Sequence, residues 1–89
     1  AYAQHLELLK QAGEILWYGF EAWKFRLADN TFYSPDFLVL QKTGVIEAHE
    51  VKGFMRDDAN VKIKVAANMH PVKFILVKKA GKSWEFTTY

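Results

Sequence analysis

Apolar residues recur along the chain at two spacings, one typical of helices and the other typical of strands. Residues 1–12 carry them at helical spacing and precede Gly13, which predicts a first helix ending there. The segment Asp57–Met69 repeats this spacing before Pro71, which predicts a second helix. Alternating or continuous apolar segments predict strands, which we place in the second half of 15–27 and at 33–41, 45–52, 72–79 and 84–89.

The order of these segments is helix, three strands, helix and two strands. Residues 42–44 form a three-residue loop ending in Gly44, where a left-handed backbone is needed, which predicts an antiparallel hairpin. The second helix is long enough to connect parallel neighbours. We therefore predict one domain, residues 1–89, of class α/β with α+β character, an αβββαβ(β) order and a mixed central sheet flanked by helices. Because no capping residue precedes the first helix, we expect N-terminal residues of the domain to be missing.

The predicted hairpin fixes which residues of its two strands lie opposite each other. If Gln41 pairs with Val45, Asp36 lies opposite Glu50, and their side chains share one face of the sheet. Lys52, two residues beyond Glu50, lies on that face too. The remaining members of the face are apolar, namely Leu38, Leu40, Ile46 and Ala48.

The two carboxyl groups stand at the end of a face that we expect a helix to cover. Like charges held together and partly removed from water are costly unless they are paired or bound to a metal. Mg²⁺ takes oxygen ligands and is often bound through one or two carboxylates with water and phosphate. Asp36 and Glu50 therefore predict a divalent-metal site, and the ammonium group of Lys52 would lie near metal-bound water and phosphate.

The second helix brings a further lysine towards the predicted site. Lys62 projects from the middle of its predicted apolar side. Two outcomes are open: the lysine stem runs outward to solvent, or the ammonium group reaches over the carboxylates to a phosphate. The predicted apolar side consists of Val61, Ile63, Val65, Ala66 and Met69.

Composition narrows the classes of function. The net charge of +2 permits nucleic-acid binding without requiring it. The absence of cysteine excludes disulfides, thiolate metal sites and cysteine nucleophiles, and it fits a cytoplasmic protein. No apolar run approaches the roughly 20 residues of a membrane-spanning helix, so we expect no membrane partner. The basic residues that we expect to contact a phosphate backbone are Lys24, Arg26, Arg56, Lys62 and Lys64.

Two short motifs resemble those of a known superfamily of nucleases. Ser-Pro-Asp at 34–36, a hairpin, and Glu-Val-Lys-Gly at 50–53 together resemble the pattern of the PD-(D/E)XK nucleases. The chain is also similar to short endonucleases encoded by phages and prophages, and this resemblance spans most of the sequence in four separate segments. It extends over residues 6–13, 21–28, 33–39 and 49–66.

The resemblance implies a restriction-endonuclease-like fold and metal-dependent hydrolysis of DNA in a bacterium or a phage-infected host cell. In that superfamily an aspartate and a glutamate hold one or two Mg²⁺ ions, or Mn²⁺, and a lysine positions or activates the attacking water. The implied metal ligands are Asp36, Glu50 and the carbonyl of Val51. Lys52 is the implied catalytic lysine, and Lys62 is the implied assisting residue from the second helix.

One feature of the superfamily has no clear match in this chain. Members commonly carry another acidic residue on the first helix, which the resemblance places just before Tyr2. Glu7 and Glu14 are the available substitutes, and neither matches the motif. The leading hypothesis is therefore an endodeoxyribonuclease, acting for example on branched or recombination intermediates. The alternative is a catalytically weak or inactive nucleic-acid-binding module with a nuclease fold.

Several properties stay open at this point, including DNA against RNA as substrate and one metal ion against two. The small core and the many aromatic residues are compatible with a homodimer, and the oligomeric state is a further open property. His49 alternates away from Glu50, so we predict a surface or lightly buried histidine instead of a metal ligand. The residues predicted to lie in the core instead of forming base-stacking platforms are Trp17, Trp23 and Phe25.

Overall fold

A computed structural model describes residues 2–52 and 57–89, without the side chains of 52 and 57–60. In this part of the chain, no helix is of a length and apolar character that would let it cross a membrane. The described residues form two helices and seven strands. In chain order they are α1 (Tyr2–Gln11), β1 (Ile15–Phe20), β2 (Phe25–Ala28), β3 (Thr31–Tyr33), β4 (Phe37–Gln41), β5 (Ile46–Lys52), α2 (Asp57–Met69), β6 (Lys73–Ala80) and β7 (Ser83–Thr88).

Five of the strands form a mixed sheet in the order β1-β4-β5-β6-β7. The pair β5 and β6 is parallel, and α2 connects these two strands. The other neighbouring pairs are antiparallel. The predicted α+β character and mixed sheet are therefore confirmed.

The predicted hairpin is formed by β4 and β5. Leu38 pairs with Ala48 and Leu40 pairs with Ile46, which is the register expected from a three-residue loop. Gly44 has a φ of 92°, so a residue with a side chain would be strained there. Loop length and one glycine thus determine the register on which the candidate site depends.

The chain between β1 and β4 differs from the prediction. The segment 15–27 forms two strands, β1 and β2, separated by a turn in which Glu21 has a φ of 49°. The strand predicted at 33–41 is interrupted at 34–36, because Pro35 has no N–H with which to continue a ladder. Since β2 and β3 form a separate two-stranded sheet, five strands precede α2 instead of three.

The large sheet is covered on both faces. Tyr2 and Leu6 of α1 are buried against one face, which we call the α1 face. The other face, which we call the α2 face, is covered by α2 and by the β2–β3 pair. The buried core on the α2 face consists of Phe25, Tyr33, Leu38, Ala48, Ile63, Ala66 and Phe74.

The helix α2 buries only part of the apolar side that was predicted for it. Ile63 and Ala66 are buried, whereas Lys62 is exposed. The C-terminal end of α2 is tied to β2, because Nε2 of His70 donates to the backbone carbonyl of Arg26 at 2.8 Å. Three residues predicted to belong to the apolar side of the helix are exposed instead: Val61, Val65 and Met69.

Candidate active site

The carboxyl groups of Asp36 and Glu50 meet at one end of the α2 face. Both residues are half-buried. The backbone N–H of Val51 donates to Oδ2 of Asp36 at 2.9 Å, and the hydroxyl of Tyr33 donates to Oε1 of Glu50 at 2.5 Å. The two carboxyl groups are close enough for the charge of Asp36 to raise the pKa of Glu50. The structure therefore brings these two carboxyl groups together as the hairpin register predicts.

Neighbouring segments hold both acids in place. Pro35 is fully buried beside Asp36, and the backbone carbonyl of Asp36 accepts a hydrogen bond from the N–H of Glu21 at 2.9 Å. Tyr33 is buried, and its ring centroid lies 6.2 Å from that of Phe74 in the core. The orientation of each carboxyl group is therefore supported by packing as well as by its hydrogen bond.

Electrostatics at the pair favour a bound proton or a bound cation. Burial raises the pKa of the Glu50 carboxyl to about 7, the bond from Tyr33 acts in the opposite direction, and the charge and hydrogen bond of Asp36 raise it further. Burial and the bond to Glu50 raise the pKa of the Tyr33 hydroxyl, so this group remains a donor. A divalent cation would supply a compensating charge in place of a proton.

The chemistry of this donor set fits Mg²⁺ or Mn²⁺. Such ions use one or two carboxylates and complete their shell with water and phosphate. The described residues include no group of three or more histidine, cysteine, aspartate or glutamate residues that could hold a metal. The N–H of Val51 points to Asp36, and in a strand the carbonyl of the same residue points to the same side. This direction is compatible with the predicted third ligand.

The two lysines predicted to act at the site, Lys52 and Lys62, lie on different elements. Lys52 continues β5 and by alternation belongs to the α2 face, but its side chain lies outside the described part of the structure. Lys62 is exposed on α2, and within the described residues it makes no hydrogen bond or ion pair with Asp36 or Glu50. The parallel register places the exposed Lys78 beside Lys52. Sequence reasoning missed Lys78, because this register depends on how the α2 connection docks.

The residues predicted to contact nucleic acid lie on the elements that cover the α2 face. Lys24 precedes β2, and its Nζ lies 5.1 Å from the centroid of a phenylalanine ring. Arg26 of β2 forms an exposed ion pair with Asp29. Lys64 is exposed on α2, and Arg56 lies outside the described residues.

Neither available acidic substitute on or near the first helix contacts the carboxyl pair. Oε1 of Glu7 accepts a hydrogen bond from the Tyr18 hydroxyl at 2.7 Å. Glu14 forms an ion pair at 3.2 Å with Lys42 in the hairpin loop, which lies at the opposite end of β4 from Asp36. Neither the Glu7–Tyr18 contact nor the Glu14–Lys42 contact involves Asp36 or Glu50.

His49 is buried, so the prediction of a surface or lightly buried histidine is wrong. It points to the α1 face, and α1 covers it there. Its Nδ1 lies 2.7 Å from the Tyr2 hydroxyl, and its Nε2 lies 2.9 Å from Oε1 of Glu47. Because a carboxylate only accepts, we assign the proton to Nε2 and the acceptor role to Nδ1. Burial lowers the pKa of His49, and the hydrogen bond to Glu47 partly opposes this change.

Replacing Tyr2 with phenylalanine is expected to lower the free energy of unfolding by about 1–3 kcal/mol, because the buried Nδ1 of His49 loses its partner. Tyr18→Phe is the matched control, since its hydroxyl bonds to Glu7 nearer the surface, and we expect a loss below about 1 kcal/mol. Urea denaturation of the two variants measures the difference. Equal losses would contradict a specific role for the Tyr2–His49 bond.

Two of the three aromatic residues predicted for the core are substantially exposed. Phe25 is buried as predicted, but Trp17 and Trp23 are 42% and 47% exposed. The prediction is therefore wrong for both tryptophans. They lie close to the α2 face, where they line a pocket together with residues of β4 and β5.

Comparison with known proteins adds no further constraint on the site. The described residues establish an α+β fold with a mixed five-stranded sheet and two facing carboxyl groups at the end of one apolar face. The chain matches no protein-family model, no curated protein and no solved structure.

Proposed function

We propose that the protein is a metal-dependent endonuclease of restriction-endonuclease-like fold that hydrolyses phosphodiester bonds of DNA. One observation carries the proposal: Asp36 and Glu50 lie side by side at the end of an otherwise apolar face, and each is oriented by its own hydrogen bond. Two adjacent, half-buried acids destabilise a fold unless their charge is compensated, whereas a metal site needs such carboxylate ligands.

Each residue of the proposed site has a distinct task. Asp36, Glu50 and the Val51 carbonyl hold the cation, and the Tyr33 hydroxyl keeps the Glu50 carboxylate in one orientation. When bound, Mg²⁺ or Mn²⁺ polarises the phosphoryl oxygen and lowers the pKa of a bound water. Lys52 orients the attacking water and stabilises the charge on phosphate as an ammonium group, or it accepts the proton of that water as a neutral amine.

Basic residues around the α2 face are proposed to position the substrate. Arg26 and Lys64 lie on the elements that cover this face, Lys24 directly precedes β2, and Lys78 lies beside Lys52. Contacts from such side chains to phosphate fix the position of a strand without reading its sequence. We therefore propose that Lys78 joins the predicted contacts.

Nicking of supercoiled plasmid tests the proposal. The wild-type protein is expected to nick plasmid with Mg²⁺ or Mn²⁺ and not with EDTA, and Lys52→Ala is expected to slow nicking by more than about 100-fold. Lys79→Ala is the matched control, because Lys79 is exposed and packs its ammonium group over Trp84 instead of facing the site. Nicking that needs no metal, or that survives Lys52→Ala, would contradict the proposed role of the site.

A nucleic-acid-binding module without catalysis is the second candidate. The observation that favours it is the lack, among the described residues, of a third acidic or histidine ligand beside Asp36 and Glu50. Such a module should retard plasmid in a gel with EDTA as well as with Mg²⁺, and no variant should nick it. Metal-dependent nicking by the wild-type protein would exclude this candidate.

A further inference from the structure

An apolar pocket lies on the α2 face, and Leu38 of its lining is two residues from Asp36. It encloses about 200 Å³. This volume is smaller than the roughly 300–1,000 Å³ of pockets for drug-sized ligands, so it suits a single flat ring system. The pocket is lined by Trp17, Trp23, Leu38, Val39, Leu40 and Ile46.

Trp17 is held flat along its own strand. A Cβ atom at Gly19 would lie 2.6 Å from Cη2 of Trp17, so the indole ring occupies the space that a side chain at Gly19 would need. Trp17 pairs with Leu40 and Gly19 pairs with Leu38. The indole therefore lies beside the two leucines of the pocket and offers a fixed aromatic surface.

Trp23 is tied to the segment that carries Asp36. The hydroxyl of Ser34 donates to the backbone carbonyl of Trp23 at 3.4 Å, and the N–H of Glu21 donates to the carbonyl of Asp36 at 2.9 Å. The turn at 21–24 is thus bonded to residues 34–36 at two points. This arrangement fixes the pocket rim relative to the carboxyl pair.

Asp36 directly precedes β4, which supplies three residues of the pocket lining. Leu38 and Leu40 follow Asp36 by two and four residues and share its face. At a rise of about 3.3–3.4 Å per residue, they lie about 7 Å and 13 Å from Asp36 along β4. If a nucleic-acid strand places one phosphate at the carboxyl pair, a neighbouring base of that strand is therefore within reach of the pocket.

We propose that this pocket receives an unpaired nucleobase from the strand whose phosphate lies at Asp36 and Glu50, so that the substrate is single-stranded or locally unpaired. The inference rests on the proposed function. Every base has an aromatic face that stacks on tryptophan, and an apolar lining accepts bases without selecting among them. Lys24, directly after Trp23, supplies a positive charge for the adjoining phosphate. Taking a base out of a duplex costs stacking and pairing, which favours bases that are already unpaired.

Binding to two single-stranded probes in EDTA tests the proposal without any need for cleavage. One probe is a fluorescently labelled oligothymidylate, and the other has the same length and charge but consists of abasic sites. The wild-type protein is expected to prefer oligothymidylate by about 5- to 150-fold, the range that stacking of one base provides. Trp23→Ala is expected to lose this preference and to keep its affinity for the abasic probe.

Two further variants separate stacking from folding. Trp23→Phe keeps an aromatic ring and is expected to retain most of the preference. Phe86→Ala removes an equally exposed aromatic residue that packs near His49 on the α1 face, and it is expected to bind like the wild-type protein. Circular dichroism checks the fold of each variant.

The outcomes distinguish this proposal from the proposed nuclease activity. A Trp23-dependent preference without plasmid nicking would support the pocket and contradict only the catalytic proposal. No preference in the wild-type protein, or a preference that survives Trp23→Ala, would overturn the pocket even if plasmid is nicked. A dimer that Trp23→Ala dissociates, with no preference for bases, would likewise overturn the proposal and identify the pocket as a contact between copies of the chain.

Discussion

Replacing Glu50 with glutamine is expected to reduce plasmid nicking by more than about 100-fold, because Glu50 is a proposed direct ligand and loss of even an outer partner of a metal site costs about 10- to 100-fold. Glutamine has the shape of glutamate, and its amide can accept from the Tyr33 hydroxyl and donate to Asp36. The substitution therefore removes a negative charge from the proposed metal site and keeps the neighbouring contacts. A protein that loses activity but gains stability would show that Glu50 is retained for function.

The same variant is expected to be more stable than the wild-type protein in EDTA at pH 8. The pKa of Glu50 is raised to about 7 in the folded protein, so its contribution to stability is complete below the unfolded value near 4.5 and is lost as the pH rises through 7. Glutamine does not titrate and avoids this loss. Because the carboxyl is only partly buried, solvent screening limits the gain to about 1–2 kcal/mol.

Thermal unfolding of both proteins at pH 4.5 and pH 8, with EDTA or Mg²⁺, measures these effects. In EDTA at pH 8 the unfolding temperature of the variant should be higher than that of the wild-type protein. At pH 4.5 this difference in unfolding temperature should be smaller. Mg²⁺ should stabilise the wild-type protein at pH 8 and have little effect on the variant, because ligand binding stabilises the state that binds. A wild-type protein that does not respond to Mg²⁺ would contradict the proposed metal site.

The facing acids were predictable because their placement depends on local features. A three-residue loop ending in Gly44 determines the hairpin register, and alternation along β5 then determines the face of Glu50. The limits of α2 followed in the same way from spacing and from Pro71. Each of these inferences needs only residues that are close in sequence.

The errors concern features that depend on docking between distant segments. The predicted apolar side of α2 was too broad, and the contacts of α2 with β2, β3 and β6 determine that Ile63 is buried and Val61 is not. His49 is buried because α1 covers its face, which alternation alone does not reveal. Trp17 and Trp23 are exposed because the β2–β3 pair, which the sequence did not predict, covers only part of the α2 face.

Replacing Phe74 with alanine is expected to have the largest effect on stability. Phe74 is fully buried between the α2 layer and the sheet, and its ring centroid lies 5.1 Å from that of Phe25. Removing a buried phenylalanine ring costs about 3–5 kcal/mol. A domain of this length has a free energy of unfolding of roughly 4–13 kcal/mol. A large fraction of the variant molecules should therefore be unfolded at moderate temperature. Phe86→Ala, at a half-exposed position, should cost less than about 1 kcal/mol.

The conservative variant Phe74→Leu separates folding from support of the site. Leucine retains most of the apolar volume, so the protein should remain folded at a cost of about 1.5 kcal/mol. The Phe74 ring packs against Tyr33, whose hydroxyl orients Glu50, so a looser contact there should also weaken the stabilisation by Mg²⁺. Urea denaturation and thermal unfolding with Mg²⁺ measure the two effects separately. If Phe74→Leu is folded and responds to Mg²⁺ like the wild-type protein, the Tyr33 bond alone is enough to position Glu50.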